Sequence, residues 1–555
     1  MRKHQGTPTS LSFALRQMKK NVAMPVIPPL SPAPFFLPCH LSPSHSTISS
    51  TNRLFKEMEK KIGYKCRIGG VVLLLLGSIA ALVTVAVIQN TWTSNQYSQE
   101  YGIVIDSGSS RSTVFLYEWP GEKQNDTGVV TEKTHCQVKS IPISDMTGDK
   151  QKDAAVWEAF KNCTDQILKE VPEEKHKSTS LFLGATAGMR LLQLKNESRS
   201  EKVMRNLRNY LSSLPFNFQN ASIITGEEEG LYGWITVNYL MDNFLERNLL
   251  NTYIRPYGAK TVGSMDLGGA STQIAFVVQE EGQGPDYMHV KLYGYPYIVY
   301  THSFLCYGKN EAEKKFMAKV LESPSLQAYK TNPCYPKGFN ETIKVSAVYD
   351  SECTQKPSNY NPDQSIMIVG AGDTEQCQKL VESIFDFRTC SSSQCSFNGV
   401  EQPPVIGDFM AYAGFFYISR ALGKNGTSEL GDFEVAVREF CSADWEDLIA
   451  QKKGIGEKHL KTYCFGAHYV HTLLAKGYKF NNDNWKNINF QRQVGNTSIG
   501  WSLGYMMRMS NMIPSEVKVI FPIADPVFAG LIFLFAALII VAVVLVSIIV
   551  VRMCF

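Results

Sequence analysis

The chain has 555 residues, 55 Lys and Arg against 51 Asp and Glu, and a formal net charge of +4. This length is sufficient for several domains. Eleven of the basic residues but only two acidic ones lie in residues 1–68, so the rest of the chain is slightly acidic. That balance excludes a broad basic surface of the kind that binds nucleic acid.

The N-terminal part predicts a tail followed by a membrane anchor. Residues 1–52 are rich in Pro, Ser and Thr, which indicates disorder, and residues 1–68 as a whole are expected to form a disordered basic tail. Residues 69–88 carry no charge and are long enough for a transmembrane helix. A buried core helix and a cleaved signal peptide are the alternatives; the length of the run and the lack of a small-residue cleavage site favour the anchor.

The C-terminal part predicts a second anchor, because residues 527–551 are apolar except for Ser547. The positive-inside rule places the basic tail in the cytoplasm. With two spans, residues 552–555 are also cytoplasmic and the segment between the spans lies outside. The sequence therefore predicts a multi-pass protein of the plasma membrane with both termini cytoplasmic.

The segment between the two apolar runs has the sequence marks of an oxidising compartment. Seven Asn-x-Ser/Thr glycosylation sites lie there: Asn125, Asn162, Asn196, Asn220, Asn340, Asn425 and Asn496. Ten of the 13 cysteines also lie there: Cys136, Cys163, Cys306, Cys334, Cys353, Cys377, Cys390, Cys395, Cys441 and Cys464. The even count predicts five disulfides, and zinc binding is disfavoured because no CxxC pair occurs.

One short pattern occurs twice, as IVIDSGSSRSTVF from Ile103 and as VGSMDLGGASTQIAF from Val262. Each copy predicts an apolar strand, an Asp-x-Gly turn, small hydroxyl residues and a second apolar strand. Backbone N–H groups in such a turn can surround an anion, and Asp106 and Asp266 can hold a divalent metal through water. An ordinary hairpin turn is the alternative for a single copy. The duplication favours two hairpins that face each other across a polyphosphate.

Three further segments suit the same cleft. LGATAGMR, from Leu183, offers a hydroxyl and Arg190 to phosphate, although a helix entry packed on a sheet explains it equally well. In IITGEEEGLYGW, from Ile223, the helix dipole explains two of the three glutamates and leaves one as a general base. QRQVGNTSIGWSLGYMM, from Gln491, places Trp501 either in the core or in the wall of the cleft.

Other catalytic signatures are missing from the sequence. GxxxxGK[ST], HExxH and GxSxG do not occur, which excludes a P-loop and argues against a zincin or an α/β-hydrolase. Strand-like runs alternate with helical stretches such as residues 203–214 and 311–321, which indicates α/β units. Residues 323–400, with five closely spaced cysteines, are expected to form a disulfide-stapled elaboration of a second lobe.

The segments IDSGSSRSTVFLY, GATAGMR, GEEEGLYGWITVNYL, DLGGASTQIAF, and CSFNGV with FMAYAGFFY and WSLGYM resemble the conserved regions of the ectonucleoside triphosphate diphosphohydrolases, the cell-surface apyrases. NEAEKKF, TNPCYP and SIFDF are most similar to the type 3 branch. The resemblance implies a two-lobed actin-like, hexokinase-type ATPase fold with duplicated ribonuclease H-like lobes. Lobe I would comprise residues 101–225 and 492–515, and lobe II residues 226–491.

The resemblance also implies hydrolysis of extracellular ATP, ADP, UTP and UDP to monophosphates and phosphate, with Ca²⁺ or Mg²⁺ required. Glu229 would activate the attacking water, Ser271 and Gln273 would orient it, and Asp106 and Asp266 would hold the metal through water. The nucleotide-binding residues would be Ser107, Gly108, Ser109, Ser110, Arg111, Thr186, Ala187, Arg190, Asp266, Gly268, Gly269, Ala270, Ser271, Tyr417 and Trp501. The disulfides would pair Cys136 with Cys163, Cys306 with Cys353, Cys334 with Cys377, Cys390 with Cys395 and Cys441 with Cys464.

Within this family Tyr417 falls where the nucleobase stacks, and the chain departs from relatives that have Arg near position 459. A phosphotransferase of the same fold is one rival interpretation; it would consume ATP only with an acceptor. A receptor ectodomain without turnover is another, and it would be expected to lack Glu229 or one aspartate, which this chain keeps. The expected partners are extracellular nucleotides and membrane lipid, with a homo-oligomer formed through the transmembrane helices and no nucleic acid.

Overall fold

The computed structural model describes residues 51–96, 99–248, 252–322, 329–389, 394–514, 523 and 525–554. The chain divides into two compact units, residues 1–85 with 529–555, and residues 86–528. The predicted disorder of residues 1–50 lies outside the described residues. The expected disordered tail is wrong for residues 51–68, because these residues are helical. They contain no proline, are rich in Lys, Arg and Glu, and continue directly into the apolar run.

The first unit contains most of two long helices, α1 (Thr51–Gln96) and α15 (Asp525–Cys554). Each contains a 27-residue stretch, Gly63–Gln89 and Pro526–Arg552, that is long and apolar enough to cross a membrane. The Tyr64 hydroxyl donates a hydrogen bond of 2.9 Å to the backbone carbonyl of Ile549. The two apolar runs of the sequence are therefore both helical.

The second unit is a mixed α/β structure, as expected. Its strands are β1 (Gln99–Ser107), β2 (Ser112–Pro120), β3 (Thr131–Val138), β4 (Ser180–Ala185), β5 (Asn217–Ile223), β6 (Glu246–Arg247), β7 (Tyr253–Ile254), β8 (Gly263–Leu267), β9 (Ser271–Val277), β10 (Tyr287–Leu292), β11 (Tyr295–Leu305), β12 (Tyr329–Asn332), β13 (Asn340–Lys344), β14 (Ser365–Gly370), β15 (Phe409–Ala413), β16 (Ile488–Phe490), β17 (Gln493–Val494) and β18 (Thr497–Ser498).

Its helices are α2 (Ala154–Glu170), α3 (Ala187–Lys195), α4 (Glu197–Leu211), α5 (Gly226–Leu240), α6 (Lys309–Glu322), α7 (Ser346–Tyr349), α8 (Thr374–Glu382), α9 (Gly414–Ala421), α10 (Leu430–Ser442), α11 (Trp445–Gln451), α12 (Glu457–Leu460), α13 (Tyr463–Thr472) and α14 (Trp501–Ser510). The helical stretches expected at residues 203–214 and 311–321 fall largely within α4 and α6.

The first large sheet has the strand order β3-β2-β1-β4-β5. β3, β2 and β1 are antiparallel neighbours, whereas β4 and β5 continue the sheet in parallel with β1. Alternate residues of β1 serve different cores: Ile103 and Ile105 pack with α2, α3 and α4, while Val104 packs with α5 and α14. Both faces of the sheet are covered here, which explains why residues 103–105 of β1 are all apolar.

The second large sheet repeats this arrangement, with the strand order β10-β11-β9-β8-β15-β16. β11, β9 and β8 are antiparallel neighbours, and β15 and β16 are parallel to β8. In the second sheet β8 has the position that β1 has in the first sheet, and the additional strand β10 extends the antiparallel edge. The repeat found in the sequence therefore corresponds to a repeat of strand order.

A smaller three-stranded sheet, of order β12-β14-β13, lies within the predicted elaboration at residues 323–400. Four disulfides join the pairs that the resemblance implied: Cys136–Cys163, Cys306–Cys353, Cys334–Cys377 and Cys441–Cys464. Cys395 is disulfide-bonded as well. Its expected partner, Cys390, lies outside the described residues.

Candidate functional site

The two Asp-x-Gly hairpins have the same turn and face each other. In the β1–β2 turn the Gly108 N–H donates to the Arg111 carbonyl at 3.0 Å, and in the β8–β9 turn the Gly268 N–H donates to the Ser271 carbonyl at 3.0 Å. A methyl group placed on Gly269 would lie 2.6 Å from Ser109 Oγ of the other hairpin. The turns are thus close enough for their N–H groups to share one ligand.

A cleft of about 410 Å³ opens at this junction. Most of the predicted site residues line it: Asp106, Gly108, Ser109, Ser110, Arg111, Thr186, Ala187, Glu229, Asp266, Gly268, Gly269, Ala270, Ser271 and Trp501. These residues come from both hairpins, from the turn before α3, from α5 and from α14. Fold topology, and not sequence proximity, brings them together.

Three carboxylates share the cleft. Burial raises the pKa of Asp106 from 3.8 to about 7, with a further rise from the Glu229 charge and opposing effects from Trp501 and Arg111. Burial raises the pKa of Asp266 from 3.8 to about 8, and the charges of Glu229 and Asp106 add to the rise. The ionised form of this group of side chains is therefore unfavourable without a compensating cation.

The two aspartates differ in their hydrogen-bond partners. The Trp501 indole N–H donates to Asp106 Oδ1 at 3.0 Å. Asp266 Oδ1 is inaccessible to solvent and accepts no hydrogen bond from any residue that the structure describes. An orphaned carboxylate oxygen beside two further carboxylates fits a divalent cation, because Ca²⁺ and Mg²⁺ prefer oxygen ligands. Asp106 and Asp266 are therefore suited to hold the metal implied by the sequence.

The three consecutive glutamates at the start of α5 have different environments. Glu228 forms a capping box with Thr225, in which each side chain bonds to the other residue's backbone N–H. Glu227 is half-buried, and Glu229 is buried. Burial raises the pKa of Glu229, whereas the nearby Arg190 lowers it and the Glu227 charge raises it. Only Glu229 of the three lines the cleft.

Glu229 is held by a network of hydrogen bonds. The Arg190 guanidinium forms an ion pair with Glu229 Oε2, and the Gln273 amide N–H lies 3.4 Å from the same oxygen. Gln273 Nε2 also donates to Ser271 Oγ at 2.6 Å and to Ser303 Oγ at 2.8 Å. The Glu229 carboxylate is thereby fixed in place with one side towards the cleft.

Gly226 allows this network to form. A side chain at position 226 would place its Cβ 2.2 Å from Ser303 Cβ and 2.5 Å from Arg190 Nη1. The first turn of α5 can therefore lie against β11 only because residue 226 has no side chain.

Four predicted site residues do not line the cleft in the structure. Ser107 is buried and lies 3.0 Å, between hydroxyl oxygens, from Ser112. Arg190 and Gln273 lie behind Glu229, in the network described above. Tyr417 lies on α9, is 43% exposed and packs its ring against Phe416. The structure therefore brings both predicted metal residues and most of the predicted phosphate residues together, but not the predicted nucleobase residue.

Trp501 satisfies both sequence-based alternatives, since it is 3% exposed and also lines the cleft. A Cβ at Gly184 would lie 2.3 Å from the indole ring. The close approach of the ring to the end of β4 is therefore possible only because residue 184 is glycine. Trp501 joins the core of the first sheet to Asp106.

The sequence interpretation missed several residues of the cleft: Phe115, His135, Gln137, Arg492 and, behind Glu229, Ser303. Phe115 lies 5.6 Å from the His135 ring, centroid to centroid. The alternation of Thr113, Phe115 and Tyr117 along β2 was available as a signal, because alternate strand residues face the same side. Arg492 and Ser303 carried no local signal, since their positions depend on distant parts of the chain.

Comparison with known proteins gives a consistent result. The GDA1/CD39 (nucleoside phosphatase) family profile matches residues 92–522. The chain is 46% identical over 474 residues to ectonucleoside triphosphate diphosphohydrolase 3 of Mus musculus, covering 84% of this chain and 89% of the relative. It is 43% identical over 424 residues to ectonucleoside triphosphate diphosphohydrolase 2 of Gallus gallus, covering 76% and 84%.

A solved structure of nucleoside triphosphate hydrolases from Neospora caninum aligns with a TM-score of 0.51 and 16% identity, covering 80% of this chain and 98% of that chain. At this identity the likeness concerns the fold alone, and it agrees with the duplicated strand order. The expected two-lobed actin-like α/β fold is thus confirmed. The family profile and the identity to curated relatives, taken with the paired hairpins, show that this chain belongs to the GDA1/CD39 nucleoside phosphatase family.

Proposed function

We propose that this chain hydrolyses extracellular nucleoside tri- and diphosphates, among them ATP, ADP, UTP and UDP, to monophosphates and phosphate, and so controls nucleotides used in purinergic signalling. The observation that carries the proposal is the cleft itself. Two hairpins with matching turns and three carboxylates converge on one volume of about 410 Å³. That set of groups matches a metal-bound polyphosphate better than any other common ligand.

The phosphate chain is bound by backbone and hydroxyl groups of both hairpins. Ser109 and Ser110 offer N–H and O–H donors from the first turn, and Gly268 and Gly269 offer the N–H groups of the second. Thr186 and the N-terminus of α3 add donors from a third direction. Arg111, which lines the cleft, supplies positive charge.

Glu229 acts as the general base for the attacking water. Its buried carboxylate has a raised pKa, which makes it a better proton acceptor at neutral pH than an exposed glutamate. Ser271 lines the cleft and orients that water, and Gln273 supports this role from behind by holding Ser271 and Glu229. Arg190, expected to contact phosphate, acts here by holding Glu229.

A divalent cation, Ca²⁺ or Mg²⁺, would be held through water by Asp106 and Asp266. Such a cation supplies charge neutralisation of the phosphate oxygens, which is the main requirement of phosphoryl transfer. The orphaned oxygen of Asp266 and the raised pKa of both aspartates support this placement. The proposed lobes are residues 101–225 with 492–515, and residues 226–491.

The active cleft faces the outside of the cell. α1 and α15 cross the plasma membrane, contact lipid, leave both termini in the cytoplasm and provide the surface of a homo-oligomer. The basic charge of residues 1–68 supports this orientation. The seven predicted glycosylation sites also support it, because all seven asparagines are exposed in the structure.

Tyr417 stacks the nucleobase after the two lobes close on the nucleotide. Its exposure in the present structure leaves its ring available for such a contact. Stacking accepts any base, so Tyr417→Ala is expected to raise KM for several nucleotides together.

The deciding experiment measures phosphate release from ATP and ADP by intact cells that express the full chain. We expect release outside the cell from both substrates, without an added acceptor, and its loss on addition of EDTA. Cells expressing Glu229→Gln at equal surface density serve as the control. Release that requires an acceptor, or that occurs equally with Glu229→Gln, would contradict the proposal.

A further inference from the structure

Three side chains with metal-binding atoms meet outside the cleft. They are Glu227, Asp286 and His302, and their ligand atoms all lie within 4.8 Å of one another. All three residues are partly exposed, so an ion can reach them from solvent. Glu227 belongs to the first turn of α5, Asp286 precedes β10, and His302 lies on β11.

The backbone holds these three segments together independently of any ion. The Thr301 N–H donates to the Asp286 carbonyl at 2.7 Å, and the Thr301 hydroxyl donates to the Glu227 carbonyl at 3.0 Å. His302 Nδ1 lies 2.8 Å from Asp286 Oδ1. The three side chains therefore start from a framework that is already assembled, which lowers the entropy cost of binding an ion.

We propose that Glu227, Asp286 and His302 form a second cation site, selective for Zn²⁺ over Ca²⁺ and Mg²⁺. One imidazole nitrogen and two carboxylate oxygens make three ligands, and water completes a tetrahedral set. The nitrogen ligand decides the selectivity, because Ca²⁺ and Mg²⁺ prefer oxygen ligands whereas Zn²⁺ binds imidazole well. The proposal concerns binding and does not depend on the hydrolytic activity proposed above.

The position of the site gives the ion a structural effect. Zn²⁺ would tie the first turn of α5 to β11 and to the loop before β10. Glu227 precedes Glu229 by two residues, and His302 precedes Ser303, which accepts hydrogen bonds from Gln273 and Arg190. A bound ion therefore stabilises the folded state at the place where the Glu229 network meets α5.

The chain offers a matched control on β10, the strand next to β11. His289 Nε2 lies 2.7 Å from Glu281 Oε1, which is the same kind of imidazole–carboxylate pair. Within the described part of the chain this pair has no third ligand close enough to complete a site. Any Zn²⁺ affinity that comes merely from a surface His–carboxylate pair should therefore be equal at His289 and at His302.

The test measures Zn²⁺ binding to the detergent-solubilised full chain by titration calorimetry, with Mg²⁺ in excess to occupy the main cleft. We expect the unaltered protein to bind one more Zn²⁺ than His302→Ala, and Asp286→Asn to bind that ion at least about tenfold more weakly. His289→Ala should bind as the unaltered protein does. Zn²⁺ should also raise the unfolding temperature of the unaltered protein and of His289→Ala, but not that of His302→Ala.

Folding of each variant is checked by phosphate release with Mg²⁺ and no Zn²⁺, which should be unchanged because neither His302 nor Asp286 is part of the proposed catalytic machinery. His302→Cys should keep the Zn²⁺ site, since a thiolate replaces the imidazole as a ligand. If His302→Ala is unstable, the comparison of Asp286→Asn with His302→Cys decides the matter. Equal Zn²⁺ binding by the unaltered protein, His302→Ala and Asp286→Asn would overturn the proposal.

Discussion

The two hairpins at the cleft have the same turn but different surroundings. Each begins at the end of a central strand, β1 or β8, and each closes through the same backbone hydrogen bond. The aspartate of the first hairpin accepts a hydrogen bond from Trp501, whereas one oxygen of the second aspartate has no hydrogen-bond partner within the described part of the chain. Accordingly the pKa of Asp266 is raised further, to about 8, than the pKa of Asp106, to about 7.

This difference separates two properties of the repeat. The turn geometry, which creates the phosphate-binding N–H groups, is set locally by Asp, Gly and Ser and is therefore the same in both copies. The electrostatic state of each aspartate is set by what the rest of the fold places against it. We expect the second hairpin to depend more strongly on a bound cation than the first.

The largest expected effect comes from Glu229, which raises the pKa of both aspartates. Glu229→Gln keeps the shape of the side chain but cannot accept a proton, so kcat should fall about 10² to 10⁴-fold in steady-state assays. The control is Glu228→Gln, because glutamine can replace glutamate in the capping box. A larger loss of kcat in Glu228→Gln would show that the base has been assigned to the wrong carboxylate.

The next effect is a pH dependence of the metal-free protein. Asp106 and Asp266 keep their protons up to about pH 7 and 8 in the folded state, whereas both lose them near 3.8 when unfolded. The free energy of unfolding should therefore fall by on the order of a few kcal/mol as the pH rises from about 4 to 8. Thermal denaturation in EDTA at several pH values measures this change.

Added Ca²⁺ or Mg²⁺ should reduce that loss of stability at high pH, because the cation favours the ionised carboxylates. Asp266→Asn should reduce the loss of stability at high pH more than Asp106→Asn does. The same pH dependence in both variants would contradict the larger rise in pKa assigned to the aspartate of the second hairpin.

A smaller effect distinguishes the two aspartates in cation binding. Asp266→Asn is expected to raise the half-saturating concentration of Ca²⁺ or Mg²⁺ at least about tenfold, because it removes a carboxylate whose Oδ1 accepts no hydrogen bond from the described residues. Asp106→Asn should raise it less, since Trp501 already offsets part of the Asp106 charge. Phosphate release as a function of cation concentration gives both values, and a reversed order would refute the comparison.

The smallest effect concerns Trp501. Trp501→Phe keeps an aromatic ring but removes the N–H that donates to Asp106, at a net cost of about 0.5 to 1.5 kcal/mol, because the Asp106 carboxyl is not fully ionised near pH 7. The pKa of Asp106 should rise towards that of Asp266, which makes the two hairpins more alike. NMR titration of the two carboxylates would detect this, and an unchanged pKa of Asp106 would assign Trp501 a packing role only.

Local patterns predicted the α/β character, both apolar helices and the two hairpins of the cleft, whereas the resemblance to a family supplied the two-lobed fold and most of the individual site residues. Asp-x-Gly turns recur at both hairpins, and the apolar runs are long and uncharged. The helix over residues 51–68 was not predicted, because these residues belong to the same basic tail as the Pro-, Ser- and Thr-rich segment that precedes them. Tyr417 was placed by family resemblance alone, and the structure leaves it outside the cleft.

The amino-acid sequence by itself determined the turns, the apolar segments and the identity of the chemically active groups, since each depends on neighbouring residues. The residue pattern left open which of Glu227, Glu228 and Glu229 lies in the cleft, since all three belong to one helical turn; the family resemblance pointed to Glu229, and the tertiary structure places Glu229 there. It also decided the partners of the aspartates, because Trp501 lies 395 residues from Asp106 along the chain. Contacts between such distant residues depend on how the sheets and helices pack, and no local sequence pattern specifies that packing.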